Sequence, residues 1–385
     1  MKILHMCLAC FYIDNYAYQE NILPKYHKMG GNEVEIIAST QTYIDNINRG
    51  FVEPKSYYNE YGIKVTRIPY IGFLPKVICE KLRIYKNVEE CIRRIHPDII
   101  FLHDIQFLSI KEVIRYKKSN PSVKVYADGH ADYVNSAKGF ISRYILHGLI
   151  YKSVINRAIP YIEKFYGTLP CRCDFMYDMY GIPKDKIEYL PFGADDELVK
   201  KYLTTDNNER IRLELQIMND SFVIITGGKI NQGKKGIFVL MDAVKNMSIP
   251  LKLIIFGSLS EDIKDEFYIH MNDNIVYVGW ADVERSYALM CASDIAVFPC
   301  LHSTLWEQAA GLGLPCVIHY IEGYTHINLN DNCLYVENIT VDSLREAIAE
   351  LYSNYERYKE NALKAMNYFS YRRIAEETSG NGEHR

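Results

Sequence analysis

A short segment of the chain combines three lysines with several glycines, and residues of these types bind phosphate in many proteins. It reads Thr226-Gly227-Gly228-Lys229-Ile230-Asn231-Gln232-Gly233-Lys234-Lys235-Gly236. An apolar run, 222–226, leads into it, and an amphipathic run, 237–244, follows. Glycine lets a backbone approach phosphate closely, and a following helix supplies free N–H groups and the positive end of its dipole. The segment therefore predicts a phosphate site, and the alternative is a solvated loop with ordinary surface lysines.

The same segment comes close to the phosphate loop of kinases and ATPases without matching it. Gly228 to Lys234 fit that pattern, but Lys235 stands where a serine or threonine must hold magnesium. In addition, no Gly-x-Gly-x-x-Gly follows the first apolar run, 2–7. The sequence therefore argues against a kinase or ATPase of this class and against a nicotinamide or flavin oxidoreductase.

The elements around this segment form two similar sets. Short apolar runs alternate with helix-period segments, which is typical of parallel sheets flanked by helices. The runs are 2–7, 34–38, 99–103 and 123–127 in the first set, and 222–226, 251–256, 275–278, 295–298 and 316–318 in the second. We predict an α/β fold with two Rossmann-like, doubly wound domains facing a cleft. The boundary is placed near residue 203, which gives domains 1–203 and 204–385.

Composition is consistent with an ordinary globular protein of about two domains, because the chain has 385 residues. Its content of 48% hydrophobic and 24% charged residues excludes disorder as the main state. The formal charge of -4 gives no indication of nucleic-acid binding. The ten cysteines are scattered, the start lacks a signal-peptide pattern, and no stretch reaches about 18 apolar residues. These features predict a cytoplasmic protein that does not span a membrane.

Several short motifs occur in a fixed order through the second half of the chain. They are Tyr180-Gly181-Ile182-Pro183, Pro191-Phe192-Gly193-Ala194-Asp195, Phe256-Gly257-Ser258, Val278-Gly279-Trp280, Ala292-Ser293-Asp294, and Trp306-Glu307-Gln308-Ala309-Ala310-Gly311-Leu312-Gly313-Leu314-Pro315. Each motif is loose, but together and in this order they resemble the family 4 glycosyltransferases of GT-B fold. The resemblance covers most of the chain and is strongest from about residue 180 to 318.

The resemblance implies roles for both domains. Domain 204–385 is expected to bind a nucleotide diphosphate sugar and domain 1–203 the acceptor, with the C-terminal helix crossing back to the first domain. Lys229 and Lys235-Gly236 are similar to the family's Arg and Lys-Gly, which bind the donor diphosphate. We therefore assign Gly227, Gly228, Lys229 and Lys235 to the donor site. The two lysines are expected to stabilise the departing diphosphate without a metal ion.

Glu307 matches a family glutamate that holds the ribose of the donor. A carboxylate suits this role because its two oxygens can accept hydrogen bonds from a diol. The alternative is a capping box, Thr304-Leu305-Trp306-Glu307, in which Glu307 only satisfies the helix N-terminus. Both roles can coexist, and the free N–H groups at the helix start would then face the diphosphate. These belong to Ser303, Thr304 and Leu305.

One feature of the family is missing. The family carries two glutamates separated by seven residues, and the position eight before Glu307 is Pro299. His302 and Ser303 occupy the loop that would supply the first carboxylate, so we predict that they contact the donor sugar. The alternative for His302 is a solvated loop residue.

In the N-terminal half, several polar residues lie at the ends of predicted strands. His130, in Asp128-Gly129-His130-Ala131-Asp132, resembles the family's histidine that contacts the donor sugar, and the alternative is an ordinary turn rich in Asp and Gly. His103 ends the preceding predicted strand in a similar way. Asn15 and Tyr16 follow the first strand. We predict a catalytic role for His130 and acceptor binding for the other three.

The segment 138–157 interleaves apolar side chains with basic ones. Such a helix can lie on an anionic membrane surface, and the alternative is an ordinary helix that covers the first sheet. The expected location is the cytoplasm, with peripheral contact at the inner face of the membrane left open. Because the sequence has no Asp-x-Asp and no convincing zinc spacing, we expect neither a metal nor another cofactor.

Together these features predict a retaining glycosyltransferase. It would move a sugar from a nucleotide diphosphate sugar to a glycan or lipid-linked glycan in cell-surface polysaccharide synthesis. A sugar-nucleotide epimerase of the same fold and a non-catalytic nucleotide-sugar-binding partner are the two alternatives.

Overall fold

The computed structural model describes residues 1–44, 48–72, 75–245 and 247–379. The backbone forms two compact units. Unit 1 is Met1–Pro191 together with the chain from Ile374 onward, and unit 2 is Phe192–Arg373. The division thus comes earlier than residue 203, because the segment after Phe192 packs with unit 2. Within that unit the backbone N–H of Asp195 donates to the Tyr287 hydroxyl at 2.7 Å.

Unit 1 contains an eight-stranded sheet in the order β10-β9-β8-β7-β1-β2-β6-β5. All neighbours are parallel except β5 and β6, and β3 and β4 form a separate antiparallel pair. The strands are β1 (Lys2–Cys7), β2 (Glu33–Ser39), β3 (Gln41–Tyr43), β4 (Arg49–Phe51), β5 (Ser56–Tyr58), β6 (Lys64–Ile68), β7 (Ile99–Leu102), β8 (Lys124–Gly129), β9 (Lys164–Gly167) and β10 (Ile187–Tyr189).

Helices cover this sheet by burying apolar residues at helical spacing. In one of them Val88, Ile92 and Ile95 all face the core, as positions four and three residues apart must on a single helix face. The helices are α1 (Gln19–Met29), α2 (Lys76–Leu82), α3 (Val88–Ile95), α4 (Ile110–Ser119), α5 (Lys152–Ala158) and α6 (Pro170–Phe175), with π-helical turns at Ile141–Tyr151 and Met176–Tyr180 and 3-10 turns at Ile159–Tyr161 and Lys184–Lys186.

Unit 2 contains a fully parallel sheet in the order β13-β12-β11-β14-β15-β16. The strands are β11 (Phe222–Gly227), β12 (Leu251–Phe256), β13 (Ile275–Gly279), β14 (Ile295–Phe298), β15 (Cys316–His319) and β16 (Cys333–Val336). The strand order reverses between β11 and β14. Open α/β sheets bind ligands at the carboxyl ends of the strands at such a reversal, so this edge is where a site is expected.

Helices flank the second sheet as well. They are α7 (Asp196–Tyr202), α8 (Thr205–Glu214), α9 (Gly236–Val244), α10 (Lys264–Ile269), α11 (Val283–Cys291), α12 (Leu305–Gly311), α13 (Val341–Ser353), α14 (Tyr355–Ala365) and α15 (Tyr371–Thr378), with 3-10 turns at Gln232–Lys234, Glu261–Ile263 and Met366–Phe369. Helix α15 begins in unit 2, and its residues from Ile374 onward belong to unit 1.

All nine predicted strands are present, and the predicted α/β class is confirmed. Across the described ranges, every helix is too short or too polar to traverse a lipid bilayer.

Candidate functional site

Two glycine loops touch at the carboxyl edge of β11 and β12. Gly228 has φ +110° and Gly257 has φ +123°, a conformation that other residues rarely adopt. A Cβ added at Gly257 would lie 2.0 Å from the carbonyl oxygen of Gly228, and one at Gly227 would lie 2.5 Å from the Phe256 ring. Only glycine therefore allows this close approach of the two backbones.

Lys234 points its side chain at this loop. Its Nζ lies 3.0 Å from where a Cβ on Gly228 would be, so the ammonium group rests against the glycine backbone. Burial lowers the pKa of Lys234 from its usual value, and no carboxylate pairs with it among the described residues. A partly desolvated cation without a counter-ion, beside a backbone without a side chain, is an electrostatic environment that favours an anion.

The two lysines named from the sequence are placed differently. Nζ of Lys235 lies 2.7 Å and 3.0 Å from the two carboxylate oxygens of Glu266 on α10, and both side chains are exposed. Lys229 is exposed at the tip of the glycine loop. The structure therefore brings Lys229 and Lys234 to this loop, whereas Lys235 is held in an ion pair on the surface.

The start of α9 packs directly against the end of β14. A Cβ on Gly236 would lie 2.3 Å from the carbonyl oxygen of Pro299, and the Cys300 thiol donates to the carbonyl oxygen of Lys234 at 3.4 Å. On the other side of the loop, Cδ1 of Leu305 lies 3.7 Å from the position of a Gly228 Cβ. Gly227, Gly228, Lys234 and the start of α12 thus lie together at the switch between β11 and β14.

Glu307 is fully buried in the first turn of α12 and is held by two histidines. Nε2 of His302 and Nε2 of His326 each lie 2.7 Å from the same oxygen, Oε1. Burial opposes a charge on Glu307, but the charges and hydrogen bonds of the two imidazoles outweigh it and hold its pKa well below the usual range. The second oxygen, Oε2, is buried and has no hydrogen-bond partner among the described residues. Glu307 therefore keeps one acceptor oxygen available.

The alternative capping box does not form. Thr304 makes no side-chain capping hydrogen bond, and Glu307 points to the histidines instead of to the helix N-terminus. The N–H of Leu305 is 3.4 Å from the Ser303 hydroxyl oxygen, and the N–H of Trp306 donates to the Ser303 carbonyl at 2.9 Å. The N–H of Leu305, which the sequence offered to a diphosphate, thus already faces an acceptor inside the loop.

His302 is not a solvated loop residue. Its side chain is 8% exposed and lies among aromatic rings. Its ring centroid is 5.0 Å from that of Trp306 in an edge-on contact, 5.6 Å from that of Tyr324, and 6.5 Å from that of Phe192 in a stacked one. This packing fixes the ring that donates to Glu307.

The same three side chains have the composition of a metal site. The ligand atoms of His302, Glu307 and His326 all lie within 4.8 Å of one another. However, two ligands on one tetrahedral zinc ion are separated by about 3.3 Å, given metal–ligand distances near 2.0–2.1 Å. The two N–O distances of 2.7 Å are those of charge-assisted hydrogen bonds. The observed geometry therefore favours direct hydrogen bonding.

In unit 1, His130 follows β8 and is paired with a buried carboxylate. Its Nε2 lies 3.0 Å from Oδ1 of Asp128, and the N–H of Asp104 donates to the same oxygen at 2.7 Å. Asp104 itself has φ +66°, an uncommon left-handed conformation at the end of β7. The pKa of His130 is raised, because the charge and hydrogen bond of Asp128 outweigh the effect of burial.

The three residues predicted to bind acceptor do not share one environment. His103 is fully buried, and its two ring nitrogens face His5 at 2.9 Å and Asp128 at 3.2 Å, which leaves neither for an acceptor. Asn15 is exposed, and its N–H donates to Glu60 at 3.1 Å. The partly exposed ring of Tyr16 lies 5.3 Å from that of Tyr18. His103 thus belongs to the core of unit 1, where one ring nitrogen is hydrogen-bonded to His5 and the other faces the Asp128 carboxylate at ion-pair distance.

Residues 221–354, within unit 2, match the family model described as glycosyl transferases group 1. The chain is a glycosyltransferase. Over 386 aligned residues it is 25% identical to O-antigen chain mannosyltransferase C of Escherichia coli, with 94% of this chain and 92% of that protein covered.

Solved structures share the fold of this glycosyltransferase over its whole length. Sucrose-phosphate synthase from Thermosynechococcus elongatus has a TM-score of 0.68 at 14% identity, covering 99% of this chain and 98% of that one. HepE of Anabaena in complex with UDP has a TM-score of 0.65 at 13% identity and covers 100% of both chains. At these identities the likeness establishes the fold alone, which is GT-B.

The sequence reasoning missed several residues of this arrangement. Lys234 stood beside Lys235 in the same segment, and only the 3-10 turn Gln232–Lys234 decides which of the two faces the loop. His326 lies nineteen residues beyond Glu307, and no spacing linked them. His5 and His27 lie in a strand and a helix whose apolar patterns gave no functional signal.

Proposed function

We propose that this glycosyltransferase is a retaining, family 4-like enzyme that uses a nucleoside diphosphate sugar. Its acceptor would be a glycan or lipid-linked glycan in the synthesis of a cell-surface polysaccharide. The relative named as an O-antigen mannosyltransferase supports this substrate class.

One observation carries the donor assignment. The Lys234 ammonium lies against Gly228, is partly desolvated, and has no carboxylate partner among the described residues. A diphosphate bound there would supply the missing negative charge, and the side-chain-free loop would let it approach the backbone. The exposed Lys229 at the same loop adds a second, mobile cation. We therefore propose Lys234 and Lys229 as the residues that offset the donor's diphosphate charge.

Glu307 is proposed to hold the ribose through Oε2. Because both histidines occupy Oε1, the carboxylate can offer only its other oxygen to a hydroxyl group. This differs from the two-oxygen contact expected from the sequence. His302 then acts through Glu307, and Ser303 remains a proposed contact to the donor sugar.

In the proposed reaction the bond between the anomeric carbon and the diphosphate oxygen breaks. The acceptor oxygen forms its bond on the same face of the sugar, and the acceptor proton passes to the departing phosphate oxygen. Negative charge grows on the diphosphate in this step, and Lys229 and Lys234 would stabilise it. His130 is proposed to orient the sugar.

The first experiment is a thermal-shift screen with UDP, GDP, ADP, CDP and TDP, because a ligand that binds only the folded state raises the apparent melting temperature. Sugar conjugates of the best nucleotide are then incubated with and without a lipid-linked glycan fraction. Transfer of the sugar to that fraction supports the proposal. An isomerised donor formed without acceptor would instead indicate an epimerase, and binding without either product would indicate a non-catalytic partner.

An exposed apolar face on unit 1 supports membrane contact. Five apolar side chains in the π-helical segment Ile141–Tyr151 and at its N-cap are between 44% and 72% exposed, whereas His147 is buried. These are Phe140, Ile141, Tyr144, Ile145 and Leu149. The exposed bases Lys138, Arg143, Lys152 and Arg157 lie along the same segment, and no acidic residue occurs from 133 to 162. We propose that this basic apolar face lies on an anionic lipid surface, which would bring the enzyme to a lipid-linked acceptor.

A further inference from the structure

Three histidines of unit 1 are joined by two hydrogen bonds, and the last of them, His103, faces the carboxylate beside His130 at ion-pair distance. Nε2 of His5 lies 2.9 Å from Nδ1 of His27, and Nδ1 of His5 lies 2.9 Å from Nε2 of His103. Nδ1 of His103 lies 3.2 Å from Oδ2 of Asp128. All four of these side chains are buried. This series of side chains therefore runs through the core from α1 to the end of β8.

The direction of these hydrogen bonds is set at the His27 end. Nε2 of His27 lies 3.1 Å from the carbonyl oxygen of Ala375 and 3.0 Å from the hydroxyl oxygen of Thr378. A carbonyl oxygen can only accept, and the Thr378 hydroxyl donates its own proton to the carbonyl of Ile374 at 2.9 Å. Nε2 of His27 must therefore carry a proton.

The proton on Nε2 of His27 determines the direction of the next two hydrogen bonds. Burial lowers the pKa of His27 to about 3, so its ring is neutral, and Nδ1 is then an acceptor for the Nε2 proton of His5. Burial, with the charges of His27 and His103, also lowers the pKa of His5. Nδ1 of His5 consequently accepts from His103. His103 thus has a proton on Nε2, and its other nitrogen faces a carboxylate, which has only lone pairs to offer.

The charges of neighbouring groups support protonation of both ring nitrogens of His103. Burial alone would lower the pKa of His103, but Cys7 and the adjacent Asp128 carboxylate raise it to about 9. The pKa of Asp128 is held well below its usual range by His130 and His103, despite its burial. Other titratable groups surround His103 and Asp128. They are His5 and Cys7 on β1, Cys10 after β1, Glu20 and His27 on α1, Arg83 after α2, Asp104 after β7, and His130 after β8.

We propose that His5, His27 and His103 are positioning residues. The hydrogen-bond chain of fixed direction keeps His103 protonated on both ring nitrogens, and this cation holds Asp128 as the carboxylate that orients His130. The consequence for catalysis rests on the proposed role of His130. The protonation state of His103 is independent of that role, and it can be measured without any substrate.

Two substitutions of His27 distinguish the effect of hydrogen-bond direction from that of side-chain packing. In His27→Gln the amide nitrogen can donate to the Ala375 carbonyl and the amide oxygen can accept from His5, so the direction is kept. In His27→Leu both partners are lost. His5 is then free to place its proton on Nδ1 and donate to His103, which would leave His103 neutral.

The test is NMR of the ¹⁵N-histidine-labelled full chain at neutral pH, with the His103 signals assigned from their loss in His103→Gln. We expect two protonated ring nitrogens for His103 and one each for His5 and His27. His27→Gln should keep this pattern and kcat within about twofold. His27→Leu should remove one His103 proton and lower kcat about tenfold, with the donor KM little changed, as loss of a supporting hydrogen bond does at other sites.

A singly protonated His103 in the unsubstituted chain would overturn the inference, and so would a His27→Leu variant that keeps both protons. If His27→Leu does not fold, the spectrum of the unsubstituted chain alone decides. These readouts remain decisive even if the chain transfers no sugar, so failure of the proposed function is recognised separately by product analysis.

Discussion

Nε2 of His326 lies 2.7 Å from Oε1 of Glu307, although nineteen residues separate them in the chain. The loop after β15 thus returns a side chain to the start of α12. His326 and His302 together keep the Glu307 carboxylate ionised, although burial alone would favour its neutral form.

The stability of the protein should depend on pH through Glu307. Its pKa in the folded state is depressed, so its contribution is fully present above the unfolded value near 4.5 and is lost as pH falls below it. We expect the free energy of unfolding of the unsubstituted chain to drop relative to Glu307→Gln between pH 6 and pH 3.5. Urea denaturation of both proteins across this range measures the difference. A constant difference would mean that Glu307 is not ionised by its neighbours.

Lys234 and Lys235 offer a matched comparison of two adjacent cations. Lys234→Ala should lower kcat/KM for the donor about a hundredfold, because charge stabilisation of a leaving group is worth roughly this much. Lys235→Ala removes only the exposed ion pair with Glu266, so its effect should stay within about twofold. Steady-state kinetics with the donor found by the thermal-shift screen measure both. The reverse ranking would return the diphosphate role to Lys235.

The contrast between these two lysines shows where sequence reasoning stops. The apolar runs predicted the central strands because buried parallel strands need continuous apolar residues, as in β1, β12 and β14. The short strands β3 to β6, and β9, β10 and β16, were missed because runs of three to five residues are too short to give a distinctive pattern. Glycine and strand order predicted the loop, but a single 3-10 turn decides which lysine faces it.

The arrangement of the buried histidines could not be predicted for a different reason. His5 lies inside β1, where its neighbours predict an apolar core residue, and His103 at the end of β7 was assigned to acceptor binding. A buried imidazole needs partners, and these come from α1, β8 and the C-terminal segment. Contacts between residues so distant in the chain depend on the whole topology, which one sequence does not reveal.

Transfer should continue after divalent cations are removed. Hydrogen-bond distances among His302, Glu307 and His326, and two lysines near the glycine loop, support charge compensation by side chains. We expect kcat of enzyme dialysed against EDTA to stay within about twofold of the untreated value. Elemental analysis of the purified protein provides the control. A stoichiometric metal whose removal abolishes transfer would contradict this prediction and point to the histidine–glutamate cluster.

His103 should make stability fall at alkaline pH. Its folded pKa is raised to about 9, so its contribution is fully present below the unfolded value near 6.5 and is lost as pH rises through 9. The shift corresponds to a contribution on the order of 3 kcal/mol. Relative to His103→Gln, the unsubstituted chain should lose stability between pH 6.5 and 9.5 in urea denaturation. Parallel pH profiles of the two proteins would refute a charged His103.

The basic apolar face can be tested without disturbing the core, because its side chains are exposed. The double substitution Phe140→Ser and Leu149→Ser removes residues that are 72% and 65% exposed, so the melting temperature should change little. Binding to phosphatidylglycerol vesicles should fall at least tenfold, since each buried CH₂ contributes about 0.8 kcal/mol to membrane affinity. Leu213→Ser, at a leucine of α8 that is 81% exposed, is the matched control and should bind normally.

Salt and lipid charge complete this test in a sedimentation assay. Binding of the unsubstituted chain should weaken at high ionic strength and be poor with phosphatidylcholine alone, because screening and loss of anionic headgroups remove the attraction of Lys138, Arg143, Lys152 and Arg157. If vesicle charge makes no difference, or Leu213→Ser loses as much binding as the double substitution, this face has no specific membrane role. The apolar residues would then need another partner to account for their exposure.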